Sequence, residues 1–171
     1  MRAQQRLFSR YIHNLNPGTL TWIGLRPQRK AEMQVVNECN ALENLGLEGD
    51  HRCKKTPGSG RQVTLISQEY IDQITHFSGI QTIDPGILRR NLVVKDINLT
   101  ALRHQQFEIG DALFEATALC HPCSRMEQAL GKGGVVAMLG HGGLCCKILR
   151  TGTVKIGDTV RARMPQQEMF D

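Results

Sequence analysis

"QFEIGDALFEATAL", residues 106–119, decides how the chain is read, because its pattern returns as "TVKIGDTVRARM" at 153–164. Each runs apolar, any residue, Ile-Gly-Asp, any residue, apolar. A Gly-Asp pair between alternating apolar positions predicts a tight turn that delivers a strand. Two such turns are too few for a repeat architecture. Working outward, "GTLTWIGLRP" (18–27) is a first strand closed by Pro27, and "MQVVN" (33–37) reads as a short second one. "RQVTLIS" (61–67) is a strand, and "NLVV" (91–94) another. Ser67 before "QEYIDQITHF" and Gly79 after it predict a helix over 68–78 with an N-cap and a C-terminal stop. A second helix is expected at about 123–130. The stretch "ECNALENLGLEGDHRCKKTPGSGR" (38–61) is rich in Gly, Pro and Lys and reads as an irregular loop outside the core.

Short strands at close spacing with only two helices predict a mostly β (α+β) fold, an antiparallel β-barrel with a few short helices. At 171 residues the chain is the size of one domain, expected over 18–165, with tails at 1–17 and 166–171. Arg2, Arg6 and Arg10 recur every four residues in the first tail, which is read as a solvated or packed end rather than a nucleic-acid arm.

Twenty-one Lys and Arg against sixteen Asp and Glu give a net charge of +5, which favours an anionic partner. Only one Trp, two Tyr and five Phe are available for base stacking, and none sits among the basic clusters, so no nucleic-acid partner is expected. The longest apolar run, "VVAML" (135–139), is far short of a membrane span, and the N-terminal stretch lacks the apolar core of a secretory signal. No membrane association is expected, and the six cysteines read as reduced thiols of a cytoplasmic protein.

Four of those cysteines fall in "ATALCHPCSRMEQALGKGGVVAMLGHGGLCCKI" (116–148). Cys120 and Cys123 form a Cys-x-x-Cys pair that fits half a zinc site or a thioredoxin-type dithiol. The opposing half of a zinc site is weak, because the adjacent Cys145 and Cys146 would point to opposite faces of a strand. The dithiol reading conflicts with a position late in a β-barrel. The remaining reading makes Cys123 a lone working thiol: Pro122 suits the start of a helix, and amides at a helix N-terminus favour a thiolate, which is a nucleophile or a soft-metal ligand. Two basic clusters precede it, "GDHRCKK" (49–55) with Arg61 beyond, and "LRRN" (88–91). Arginine forks pair phosphate oxygens, and the glycine-rich "GKGG" and "GHGG" offer close backbone approach. Together these point to a phosphorylated ligand with a thiolate-bound centre.

Taken in order, "WIGLRP", "GLEGDHR", "RQVTLIS", "GILRRNLVV", "LFEATALCHPCSRME", "GGLCCKIL" and "TVKIGDTV" resemble the MOSC domain, named for the C-terminal domain of molybdenum cofactor sulfurases. The resemblance implies a barrel that binds the molybdopterin-type molybdenum cofactor. It implies Cys123 as molybdenum ligand and catalytic residue. Gly49, Asp50, His51, Arg52, Arg61, Arg89, Arg90 and Asn91 are the candidate cofactor-binding residues. The activity implied is reduction of small N-hydroxylated compounds with electrons from a separate reductase. The alternative is a non-catalytic carrier of the cofactor or of persulfide sulfur on Cys123, supplied by a cysteine desulfurase. Unlike the larger members of that family, a stand-alone domain is expected, without the preceding β-rich domain or a fused sulfurase, ferredoxin or helical extension.

Overall fold

The computed structural model describes residues 3–164. Its frame is a barrel of seven strands: β1 (Gly18–Leu25), β5 (Val63–Ser67), β6 (Leu92–Lys95), β7 (Gln106–Ile109), β8 (Ala112–Leu119), β9 (Leu144–Arg150) and β11 (Thr159–Ala162). Around the barrel the order is β1, β11, β7, β8, β9, β5, β6, and pairing of Gly18 and Thr19 with Val160 and Thr159 closes it. β2 (Gln34–Val36) extends β1 outside the closed ring. β3 (Glu38–Leu42), β4 (Gly46–Leu47) and β10 (Gly152–Lys155) make a separate three-stranded sheet.

The two Ile-Gly-Asp turns stand where the pattern demanded, joining β7 to β8 and β10 to β11. Both glycines have positive φ, Gly110 at +55° and Gly157 at +94°. The barrel is mostly antiparallel, with one departure from the expected pattern: β5 and β6 run parallel. Parallel neighbours need a crossover, which here is α2 (Gln68–Ser78) and the 3₁₀ turn at Pro85–Leu88. Ser67 Oγ caps α2 by accepting from Tyr70 N at 3.1 Å, and Gly79 ends it in a left-handed conformation. α2 covers the outer face of β5, so all five β5 residues are buried, the polar Thr64 and Ser67 included.

Two apolar clusters follow from this layering. The barrel interior holds Leu20, Ile23, Leu65, Leu92, Phe107, Phe114 and Ile148. Phe107 and Phe114 stack at 5.4 Å between ring centres. A second cluster lies between the barrel wall and the helices, with Ile66 and Val93 against Ile71, Ile74, Met126 and Met138. It seats α3 (Ser124–Leu130) and α4 (Gly134–Met138). The short α4 was hidden among the glycines of 131–143.

One segment differs from its sequence reading. The stretch 38–61 does contribute to the core: Ala41 of β3 and Leu47 of β4 are fully buried. Ahead of the barrel, residues 3–14 form α1 (Ala3–Tyr11) and a 3₁₀ turn whose Ile12 packs into the barrel cluster. The tail at 166–171 lies outside the described residues. Among the described residues, no helix is long and apolar enough to cross a membrane.

Candidate functional site

Strand pairing and the buried Arg90 bring the basic clusters and the thiol together. Ile23 pairs with Leu92, Leu92 with Leu65, Leu65 with Leu144, and Leu144 with Leu119. This apolar row crosses five strands. β1 runs past it to Arg26, and β5 and β6 begin on that same side, after Arg61 and after Arg89 and Arg90; β8, which runs with β5, leaves the row on the other side, where β9 begins. Arg90 spans the two by donating to Gly142 O and Cys120 O, and Arg26, Arg61, Arg89, Arg90, Cys120 and Cys123 line one opening, although 97 positions separate the first from the last.

The opening is a cavity of about 360 Å³ lined by Arg26, Arg29, Lys30, Arg52, Lys55, Arg61, Arg89, Arg90 and Arg125, with His51, His121, Cys120 and Cys123. Nine cationic residues line it without one carboxylate. Such a concentration focuses a positive field inside a concave wall. Burial and repulsion from Arg26 and Arg125 both act to weaken the proton hold of Arg89. Burial, followed by the Arg26 charge, lowers the His51 imidazole below its ordinary range. The Nε of Arg52 is buried and lacks a hydrogen-bond partner. Each of these would be relieved by an anion.

Cys123 caps α3 with its backbone: its carbonyl accepts from Met126 N at 2.8 Å, while its side chain makes no capping bond. The thiol is exposed and lines the cavity. That matches the sequence reading of one reachable sulfur at a helix start. Among the described residues no three His, Cys, Asp or Glu side chains converge as a metal site.

The candidate cofactor residues divide by what their side chains already hold. His51, Arg52, Arg61, Arg89 and Arg90 line the cavity. Asp50 and Asn91 sit behind it, buried at 3% and 1% exposure. Asp50 accepts from Arg26 N (2.9 Å), Arg26 Nε (3.0 Å), Arg26 Nη2 (3.2 Å) and Arg52 N (2.9 Å). Asn91 Nδ2 donates to Asp50 Oδ2 and to Gly24 O, both at 3.0 Å, while its Oδ1 accepts from Thr64 and Arg26. These two residues aim the guanidinium of Arg26 and brace the loop at 51–54. Burial raises the Asp50 carboxyl, but bonding and charge from Arg26 outweigh it and hold the group below its usual value. Gly49 makes the preceding turn at φ +91°. Arg90 is 7% exposed and donates to Gly142 O at 2.7 Å and Leu88 O at 2.9 Å, tying β6 to the glycine-rich segment. Arg89 donates to Ala31 O at 2.6 Å.

Sequence reasoning missed Arg26, Arg29, Lys30, Lys55 and Arg125 as cavity residues. The run "RPQRK" at 26–30 was a readable signal, since it follows directly on β1. It also missed a second sulfur centre. Arg61 Nε donates to Cys145 Sγ at 3.2 Å. The neighbouring Cys120 thiol and the charge of Arg61 outweigh burial and draw the Cys145 thiol below its ordinary value. Cys120 is raised by Cys145 and by burial, against the pull of Arg90. Cys146, next to Cys145, points the other way, into the barrel core, where burial raises its thiol.

The family model described as "MOSC domain" matches residues 50–161, well over half the chain. The chain belongs to the MOSC domain family. This family is associated with molybdenum cofactor binding. The MOSC barrel is matched by the crystal structure of the YuaD protein from Bacillus subtilis, with TM-score 0.74 and 18% identity, covering 89% of this chain and 98% of that one. YiiM from Geobacillus stearothermophilus superposes with TM-score 0.70 and 12% identity over 90% of this chain and 79% of its own. YiiM from Escherichia coli gives 0.64 and 18% over 86% and 70%. At such identities the likeness speaks for the MOSC fold alone. No match was found among curated proteins.

Proposed function

We propose that this MOSC domain binds the molybdopterin-type molybdenum cofactor in the basic cavity and removes oxygen from small N-hydroxylated compounds. The observation that carries the reading is the exposed Cys123 thiol facing nine cationic residues with no carboxylate among them. The residues present fit the group. A thiol suits a soft metal, guanidinium forks suit a phosphate, and the partnerless Arg52 Nε lacks an acceptor that a phosphate or pterin oxygen would supply.

In this reading Cys123 ligates molybdenum, and Arg52, Lys55 and Arg89 neutralise the phosphate. When bound, the molybdenum centre supplies two-electron oxygen-atom transfer. Arg26, held by Asp50 and Asn91, keeps a fixed cation at the cavity wall. His51, uncharged near neutral pH, is free to give or take one hydrogen bond and to accept a proton as negative charge enters. Electrons come from a separate reductase in the cytoplasm.

The second reading is a carrier that holds the cofactor, or sulfur as a persulfide on Cys123, and it is favoured by the exposure of that thiol. Turnover of an N-hydroxylated base with an artificial electron donor separates them. Reduction by cofactor-loaded protein that Cys123→Ser abolishes supports the enzyme. A persulfide on Cys123 after incubation with a cysteine desulfurase, without reductive turnover, supports the carrier.

A further inference from the structure

We propose that a second hollow at the mouth of the basic cavity, between Lys30, Arg89, Arg125 and Gln128, is a subsite for a phosphate monoester, so that the small substrate carries its own phosphate. What the substrate then undergoes rests on the cofactor reading; the subsite does not.

The hollow measures about 380 Å³ and is lined by Lys30, Arg89, Arg125, Gln128 and Ala129. Lys30, Arg89 and Arg125 also line the inner cavity, so these three cations form the edge that the two spaces share. Arg125, Gln128 and Ala129 stand at the spacing of a single face of α3. Arg89 reaches the same place from the end of the 3₁₀ turn at Pro85–Leu88, where its φ is +57° and its Nη1 donates to Ala31 O at 2.6 Å. That bond seats it beside Lys30, whose φ is +66°. Non-glycine residues adopt such left-handed angles at a cost, and two of them here present cations at one edge.

No carboxylate among the described residues neutralises this edge. The ion pairs there are Arg26–Asp50, Arg150–Glu108 and Lys155–Glu38, none of which involves Lys30, Arg89 or Arg125. Glu127, the carboxylate of α3, is engaged toward α4, accepting from Gly133 N at 2.6 Å and from Val135 N at 2.9 Å. A carboxylate ligand would bring one negative charge, whereas a phosphate monoester brings about two. Three cations around one hollow match the phosphate, which guanidinium forks and a lysine ammonium both bind, and the Gln128 amide adds a donor. Arg52 and Lys55, which hold the cofactor's phosphate in the reading above, line the inner cavity and not this hollow. A ligand with its phosphate in the outer hollow therefore extends over the shared edge toward the exposed Cys123 thiol.

The subsite is tested in isotope-labelled, cofactor-free protein titrated with phenyl phosphate. Magnetic resonance follows the side-chain amide of Gln128, which lines the outer hollow only, and Nε of Arg52, which lines the inner cavity only. The Gln128 signal, assigned through Gln128→Met, is expected to shift and saturate. Ala129→Glu adds a carboxylate to the outer hollow and should weaken the affinity read at Gln128 by about tenfold, and that read at Arg52 by less than about threefold. Benzoate should bind at Gln128 about tenfold more weakly than phenyl phosphate. In cofactor-loaded protein, para-hydroxybenzamidoxime is compared with its phosphate ester. The ester is expected to show about tenfold higher kcat/KM, with the gain lying in KM and lost in Ala129→Glu. Absence of turnover with both compounds would contradict the cofactor reading, while the Gln128 titration decides the subsite by itself. An unmoved Gln128 signal, a response lost in Arg52→Gln but kept in Ala129→Glu, benzoate bound as tightly as phenyl phosphate, or equal kcat/KM for the two compounds would overturn the proposal.

Discussion

Asn91 Nδ2 donates to Asp50 Oδ2 at 3.0 Å, joining the residue that precedes β6 to the residue that caps the 51–54 turn. Through Arg26, whose guanidinium both residues accept, the pair ties three separate segments into the cavity wall. Removing one partner of a buried ion pair leaves an uncompensated charge. Asp50→Ala is therefore expected to lower unfolding free energy by about 3 kcal/mol or more in urea titration. Arg29→Ala, at an exposed site, is expected to stay within about 0.5 kcal/mol. The sign with pH follows from the depressed Asp50 carboxyl. Its contribution is complete above the unfolded value of about 3.9 and is lost as pH falls through the lower folded value. Wild type should thus lose stability on acidification more steeply than Asp50→Ala.

Much of this was legible beforehand, and the failures have physical causes. Local signals carried the strands, α2 with its cap and stop, and the thiol at the start of α3. The parallel pairing of β5 and β6 was not local, because it depends on where the chain returns after α2. That Asp50 and Asn91 stand behind the cavity wall and hold Arg26 was not legible, because sequence shows a side chain's chemistry and not what already satisfies it. Cys145 looked inert for the same reason: its partner Arg61 is 84 residues away and meets it only because β5 and β9 are paired.

Anion affinity should rise on acidification. His51 is held mainly uncharged by burial and by Arg26, and an anion in the cavity would stabilise its protonated form. Sulfate, which does not itself titrate in this range, is expected to bind more tightly as pH falls from 8 to 5.5, with proton uptake visible calorimetrically across buffers. His51→Gln should flatten that dependence by roughly the contribution of one charge. An identical slope in the variant would contradict His51 as the group that takes up the proton.

The two Ile-Gly-Asp turns are alike in sequence but not in surroundings. A Cβ on Gly110 would lie 2.5 Å from Asp158 Oδ2 and 2.6 Å from the Thr153 carbonyl, whereas one on Gly157 meets nothing within 4 Å. Gly157→Ala is expected to cost about 1 kcal/mol from its positive φ alone. Gly110→Ala adds a backbone collision and should cost at least twice as much in thermal or urea unfolding.

The most direct measurement is molybdenum content by elemental analysis, with phosphate and pterin assayed alongside, in protein made by a host able to assemble the cofactor. Wild type is expected to retain molybdenum and pterin together. Cys123→Ala, folded to the same melting temperature, should lose most of the metal. Equal molybdenum in both proteins, or none in wild type, would contradict a cofactor anchored by the Cys123 sulfur.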